Sequence, residues 1–405
     1  MEMTDANGSD LGPKAKFDVI VVGGGPAGSA SAFVARSLGL NVCLIDKATF
    51  PRNKLCGGLV TPRSKRLHNK IFGEEIATSL LNDSDSIAFY SAGRFLASVD
   101  GYKKLYFCMR YDFDASLIER CRDAGVELRC GESAAAIDLE ENVLTLTGGE
   151  QLGFDVLIGA DGVNSQVAKQ LFGESFNQNT IGFGLEVEVP RHLLPEQPDI
   201  VEIDFAAAHW GYGWVFPKKT TFTIGVGGIK DRNPDMKGQL NEYLRYKNIA
   251  DHGLKVKGQF IPFGDFKKQP GRAQVVLVGD AAGMVDPITG EGIAFALETG
   301  LVAAQAAHSA IASKKPDSAF DIYAKDHSRI VNAIRQANRW RRLIFPVPLR
   351  GLFNWAFADA STLQRGYLDI LAGDSDYSAL PRMFGNQVRK ALIKPFKLAL
   401  RVIRG

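Results

Sequence analysis

The run Phe17-Asp18-Val19-Ile20-Val21-Val22-Gly23-Gly24-Gly25-Pro26-Ala27-Gly28, followed eighteen residues later by Asp46, constrains this chain more than any other feature. The β-branched stretch Val19 to Val22 reads as a buried strand. The glycines read as a tight turn, and Pro26 to Leu38 as a helix opened by proline. Asn41 to Ile45 is a second apolar strand that ends in an acid. In such a unit Gly23 makes the turn and Gly25 lets a pyrophosphate approach the backbone. Gly28 lets the helix pack close on the sheet. The helix N-terminus offers free N–H groups and a positive dipole end to the phosphate. Asp46 is placed to accept hydrogen bonds from an adenosine ribose. A glycine triplet alone also fits a purely structural turn. The complete strand, turn, helix, strand and acid specify a dinucleotide, without saying which one.

At 405 residues the chain holds two or three domains with sizeable cores. Its net charge of +3 is close to neutral for this size, which argues against a nucleic-acid partner. The five cysteines (43, 56, 108, 121, 130) are odd in number and lack CxxC spacing. That argues against a disulfide frame and a zinc site, and for a reducing, cytoplasmic compartment. The six histidines show no metal spacing either. Residues 1–16 are polar, lack an apolar signal core and read as a disordered leader. No stretch reaches the roughly 18 uninterrupted apolar residues of a spanning helix.

Further along, Asp114 to Ala124 reads as a helix with Asp114 as its N-cap. Val126–Arg129, Ala134–Leu139, Val143–Leu146, Phe154–Ile158 and Val275–Val278 read as strands, and 292–313 as a long helix. The segments 181–189, 199–205, 213–217, 221–229 and 254–261 read as strands of an antiparallel sheet. The simplest assembly is a parallel-sheet nucleotide domain built from 17–50, 105–175 and 270–313. A β-rich domain from 51–104 and 176–269 is inserted into it, and 314–405 forms a helical C-terminal region.

Two more glycine–acid turns select among dinucleotide folds. Gly159-Ala160-Asp161-Gly162 follows a strand. Gly279-Asp280-Ala281-Ala282-Gly283 follows another and continues through Asp286-Pro287-Ile288-Thr289-Gly290-Glu291-Gly292-Ile293 into a helix. With these three turns in order, the chain resembles the p-hydroxybenzoate hydroxylase superfamily of FAD enzymes. Phe50-Pro51-Arg52-Asn53-Lys54-Leu55-Cys56-Gly57-Gly58-Leu59 and Gly211-Tyr212-Gly213-Trp214-Val215-Phe216-Pro217 narrow the match. They resemble the cysteine–glycine–glycine segment and the YxWxFP signature of geranylgeranyl reductases. His209 stands where that signature usually has a proline. The fold this resemblance implies is α/β: a Rossmann-type FAD-binding domain, an inserted antiparallel β substrate domain and a helical C-terminal region.

The resemblance also implies roles. FAD would lie extended, with Ala27 and Asp46 at its adenosine half and Asp161 within the second turn. Arg110 would stand at the phosphate–ribityl region, and Ala134 would touch adenine through its backbone. Asp280 would hold the ribityl hydroxyls. Gly292 and Ile293 would turn backbone N–H groups to the flavin ring, and Cys56 and Gly57 would lie alongside it. The family reduces isolated C=C bonds of isoprenoid chains. NADPH, ferredoxin or a quinol-linked carrier protein would supply the electrons.

Tyr212, Trp214 and Phe216 alternate along one strand, so they share a face able to line an apolar channel, or to serve as plain core aromatics. Cys56 is the expected catalytic candidate, as proton donor or as packing against the flavin. Glu291 reads as a proton source or as a helix N-terminal carboxylate. Residues 386–405 carry six Lys and Arg among apolar residues and no acid. That pattern suits a peripheral contact with an anionic membrane, or a helix docked on the protein. Two other functions fit the same fold: a flavin monooxygenase or halogenase, and a non-catalytic flavoprotein that senses redox state or carries electrons.

Overall fold

The computed structural model describes residues 15–249 and 253–385. β1 (Ala15–Val22), α1 (Pro26–Ser37) and β2 (Val42–Asp46) form the expected βαβ unit. Ala15 and Lys16 therefore belong to a strand and not to a leader. The residues before them lie outside the described ones, as does the basic segment 386–405. A short β3 (Leu59–Val60) and α2 (Pro62–Phe72) lead to a long hairpin, β4 (Leu81–Ser91) and β5 (Arg94–Cys108).

Helix α3 spans Arg110–Asp123, four residues longer at its start than expected. Asp114 is thus not its N-cap. It is fully buried one turn inside, where it receives the Arg110 guanidinium through bonds of 2.6 and 2.7 Å. Then follow β6 (Glu127–Cys130), β7 (Ala134–Asp138), β8 (Val143–Leu146), β9 (Gln151–Gly159) and α4 (Gln166–Phe172).

The next strands are β10 (Gly182–Pro190), β11 (Val201–Asp204), β12 (Gly211–Pro217) and β13 (Thr221–Ile229). They precede α5 (Met236–Tyr246), β14 (Lys257–Ile261), β15 (Gly271–Arg272) and β16 (Val275–Leu277). Four helices follow: α6 (Ile293–Ala312), α7 (Ala319–Ile344), α8 (Arg350–Ala358) and α9 (Ser361–Ala372).

The strands make two sheets. The first runs β15-β16-β9-β1-β2-β6, parallel from β16 to β6, with the β7–β8 hairpin attached to β9. Its central strands are β-branched and buried on both sides, as parallel sheets require. Val19, Val21 and Leu44 pack against α1, α3 and α6. Ile20, Leu157 and Leu277 pack against the hairpin and α7.

The second sheet runs β14-β10-β13-β12-β11-β4-β5-β3, antiparallel except where β11 meets β4. Strand alternation sorts its side chains. Val187, Val215, Ile224 and Val226 face α5. Tyr212, Trp214, Phe216 and Phe89 face a layer that includes Phe345, Phe353, Phe357 and Leu368 of the helical C-terminal region.

Candidate functional site

The glycine turn between β1 and α1 is built on backbone proximity. Gly23 sits at φ +106°, a conformation side chains rarely adopt, and a Cβ there would strike the Ala160 carbonyl. A Cβ on Gly28 would strike the Gly23 carbonyl oxygen. Gly25 differs, because its face is open. The atoms nearest a Cβ there are one guanidinium nitrogen each of Arg110 and Arg52, both 3.9 Å away. Gly25 caps α1 without a side-chain bond, and among the described residues the N–H groups of Ala27 and Gly28 have no partner. An open backbone, a free helix N-terminus and two cations fit a pyrophosphate.

Carboxylates hold the two cations. Arg110 is bound by Asp114, and Arg52 lies 3.2 Å from Asp114 and 3.8 Å from Asp46. Asp46 accepts the Gly24 N–H at 2.7 Å and the Ala48 N–H at 2.8 Å. A carboxylate has about four acceptor sites, so lone pairs remain for a ribose. The Asp46 carbonyl accepts the N–H groups of Gly131 and Glu132, which brings the start of β7, with Ala134, to the same neighbourhood.

Asp161 is used differently from the other acids. Its carboxylate caps α4, accepting from Ser165 Oγ at 2.5 Å and from the Gln166 N–H at 2.6 Å. Only its backbone lies against Gly23. The side chain of Asp161 thus caps α4, while its backbone lies at the glycine turn expected to hold the cofactor.

A second open helix end lies at α6. Gly292 caps it without a side-chain bond, and among the described residues the N–H groups of Gly292 and Ile293 have no partner. A Cβ on Gly292 would stand 3.8 Å from Asp280 Oδ1. Burial raises the Asp280 pKa, opposed by Lys54 and Arg110, and no hydrogen bond offsets it. Burial lowers Lys54 against the pull of Asp280. An unpartnered acid, a cation and a free helix N-terminus thus converge on one spot. They fit the ribityl hydroxyls and ring carbonyls of FAD. The preceding loop is tied by hydrogen bonds: Asp286 accepts the N–H groups of Ile288 and Thr289 and the Tyr377 hydroxyl. Glu291 accepts the Ala294 N–H at 2.9 Å at the start of α6, and burial pushes its carboxyl up to about 7.

The Cys56-Gly57 segment lies against the aromatic face of β12. A Cβ on Gly57 would stand 2.7 Å from the Phe216 ring and 3.8 Å from Trp214 Nε1. The Trp214 indole lies over glycines of two neighbouring strands: a Cβ would approach it to 2.5 Å from Gly225, 3.3 Å from Gly227 and 3.5 Å from Gly184. The Tyr212 hydroxyl donates to the Thr289 carbonyl at 2.9 Å, tying the aromatic row to the loop before α6. At the start of β12, the His209 N–H donates to Asn233 at 2.8 Å. A proline could not make that bond, so the departure at 209 has its own turn chemistry.

Sequence reasoning missed a polar group inside this wall. Glu186 on β10 pairs with Gly225, which pairs with Trp214, so the three form one row across the sheet. Glu186 is 3% exposed and accepts the Cys56 N–H at 3.2 Å. Among the described residues its other oxygen has no partner, and neither has Trp214 Nε1. Burial pushes Glu186 up to about 7, with Lys218 pulling down and Glu188 pushing up. Lys218, 2% exposed, donates to Glu188 at 2.9 Å and to the Cys56 carbonyl at 3.4 Å. The signal was present: Glu186 and Glu188 alternate with valines, a pattern that reads as a solvent face unless the glycines opposite are noticed.

Comparison with known proteins follows these features. A family model described as pyridine nucleotide-disulphide oxidoreductase matches residues 17–181. A menaquinone reductase of Mycobacterium tuberculosis is 30% identical, over 71% of this chain and 76% of that protein. A geranylgeranyl diphosphate reductase of Rhodobacter capsulatus is 30% identical, over 79% of this chain and 83% of that one. A crystal structure of a geranylgeranyl bacteriochlorophyll reductase-like protein from Thermoplasma acidophilum superposes with a TM-score of 0.69 at 23% identity, covering 89% of this chain and 100% of that one. A flavin-dependent brominase superposes at 0.67 with 20% identity, covering 94% of this chain and 100% of that one. At such identities the structures share a fold and no more. The matches in sequence, taken with the three glycine–acid turns, decide the family: the chain belongs to the geranylgeranyl reductase family of FAD-dependent oxidoreductases.

Proposed function

We propose that this chain saturates isolated C=C bonds of an isoprenoid chain carried on a lipid. One observation supports the reading most: the Tyr212–Trp214–Phe216 row, with the Cys56-Gly57 segment on it, joins the loop before the open end of α6 to an apolar helical layer. The names of the relatives, a menaquinone reductase and a geranylgeranyl diphosphate reductase, agree with it.

When bound and reduced, FAD supplies a hydride to one alkene carbon. The residues of the chain provide the remainder. The N-termini of α1 and α6, with Arg52, Arg110, Asp46 and Asp280, hold the cofactor. The aromatic row orients the prenyl chain and excludes water. An isolated alkene has no carbonyl to accept electrons, so its second carbon needs a nearby acid in a dry site. Two groups stand there, the Cys56 thiol and the Glu186 carboxyl. Burial holds the Glu186 carboxyl at about 7, so it keeps a proton into the neutral range. Cys56 shapes the loop and, through its N–H, positions Glu186. NADPH or a carrier protein delivers electrons, and the enzyme works peripherally at the cytoplasmic face of a membrane.

The test is mass spectrometry of a detergent-dispersed geranylgeranyl lipid after incubation with the FAD-loaded protein and a reductant. The expected product gains two hydrogens per double bond. Gain of one oxygen, or an unchanged lipid, would overturn the reading. Cys56→Ser keeps the backbone N–H to Glu186 and alters the sulfur that accepts the Gly58 N–H, so it should retain FAD and lower turnover. Full activity would remove the Cys56 thiol from the mechanism.

A further inference from the structure

The corner between α7 and α8 carries apolar side chains that the fold leaves uncovered. Leu343 is 53% exposed, Val347 57%, Leu352 59% and Trp355 41%. Leu352 and Trp355 lie three residues apart on α8 and share a stripe. Phe95, 55% exposed, follows the hairpin turn beside them, which Asn354 ties to α8 through Ser91 at 3.0 Å. The opposite stripe of α8, Phe353, Ala356 and Phe357, is buried in the same cluster as Tyr212, Trp214 and Phe216. An ordinary surface helix turns a polar face outward. This one is apolar on both sides, and an exposed patch of that kind marks a contact.

Charge identifies the contact. Residues 327–358 contain six arginines and no acid. Arg341 points inward to the Phe263 carbonyl, whereas Arg335, Arg339 and Arg342 are exposed. The chain leaves the described region beside this corner, where Phe384 stacks on Trp340 at 5.7 Å. The segment beyond, 386–405, is itself basic and acid-free in sequence. An arginine-rich, acid-free stretch with exposed Leu and Trp beside it complements an anionic bilayer.

We propose that the α7–α8 corner docks the protein on an anionic lipid bilayer, with Leu343, Val347, Leu352 and Trp355 entering the boundary between headgroups and acyl chains. The proposal rests on the lipid-reductase reading for its purpose. A prenyl lipid leaving the bilayer at this corner meets α8, whose inner face packs in the aromatic cluster of the candidate site.

The test is flotation of the full chain with vesicles of phosphatidylcholine alone or mixed with phosphatidylglycerol. Binding to the anionic vesicles, weakened by salt, is expected. Leu352→Glu with Trp355→Glu should lower that binding by about tenfold or more, from the apolar area no longer inserted. Its FAD content and thermal midpoint should match the unsubstituted protein. Arg339→Gln with Arg342→Gln, a variant that leaves the apolar stripe intact, should weaken binding and reduce its salt dependence. Unchanged binding in both variants would overturn the proposal. So would loss of all binding on deleting 386–405 alone, or a dimer in solution that Leu352→Glu dissociates. Reduction of the detergent-dispersed lipid should be unaffected by the corner substitutions. If no form of the protein reduces that lipid, the reductase reading fails while the docking result stands.

Discussion

Glu186 is the residue whose chemistry is least ordinary. A buried carboxyl with one hydrogen-bond donor and one free oxygen is costly to ionise. It therefore keeps its proton up to about pH 7, where an exposed glutamate would have lost it near 4.3. As the proton donor it predicts a turnover that is constant below neutrality and falls as pH rises through about 7. Glu186→Gln keeps the shape and the Cys56 contact but has no proton to give. The variant should bind FAD normally and turn over about a hundredfold more slowly, with the limb near pH 7 gone from its profile. A variant that keeps that limb would assign it to another group, and full activity would remove Glu186 from proton delivery.

At the scale of elements, the aromatic row exists because its neighbours lack side chains. Gly225 and Gly227 stand opposite Trp214 and Tyr212 on β13, and Gly184 continues the gap on β10. The two β13 glycines differ in how much room they leave. A Cβ on Gly225 would meet both the indole at 2.5 Å and the Leu185 carbonyl at 2.6 Å, and the carbonyl cannot retreat. Gly225→Ala should cost about 1–3 kcal/mol in denaturant unfolding. A Cβ on Gly227 meets nothing closer than 3.3 Å, so Gly227→Ala should cost less than about 1 kcal/mol. It should shift the indole and raise KM for the prenyl lipid while FAD content stays constant. Equal costs for the two variants would refute a floor shaped by Gly225.

The same strands show what sequence can disclose. The unit from β1 to Asp46 was legible because its signals are local: a β-branched run, a glycine turn, a proline-opened helix and an acid. The alternation of Tyr212, Trp214 and Phe216 was legible too, since a strand has only two faces. Glu186 was not legible, because a glutamate alternating with valines looks solvent-facing until β13 places glycines against it. Asp114 misled for a similar reason: an acid early in a helix resembles a cap, and only the fold reveals Arg110 one turn before it. Arg52 and Lys54 belong to a loop whose path is set by Asp46, Asp114 and Asp280, acids distant in sequence.

Across the whole molecule, two kinds of buried group titrate in opposite senses over the same pH range. Glu186 and Glu291 hold protons in the folded state up to about 7 that the unfolded chain releases near 4.3. Their contribution to stability is greatest below that lower value and is lost as pH rises towards 7. His68 and His327 do the reverse. Burial lowers both to about 4, so the folded protein refuses protons that the unfolded chain takes up near 6.5. Their contribution is lost as pH falls from 6.5 towards 4. The slopes oppose each other, and single substitutions should unmask them. His327, whose Nε2 has no partner among the described residues, packs on the Tyr323 ring at 5.1 Å, so His327→Phe preserves the shape. Relative to the unsubstituted protein, it should gain on the order of 3 kcal/mol as pH falls from about 6.5 to 4. Glu186→Gln should gain a similar amount in the other direction, as pH rises from about 4.5 to 7. Bound cofactor stabilises the folded state by mass action, so both series need FAD held at the same saturating concentration. Denaturant midpoints that run parallel to the unsubstituted protein across this range would show that neither group carries the shifted proton.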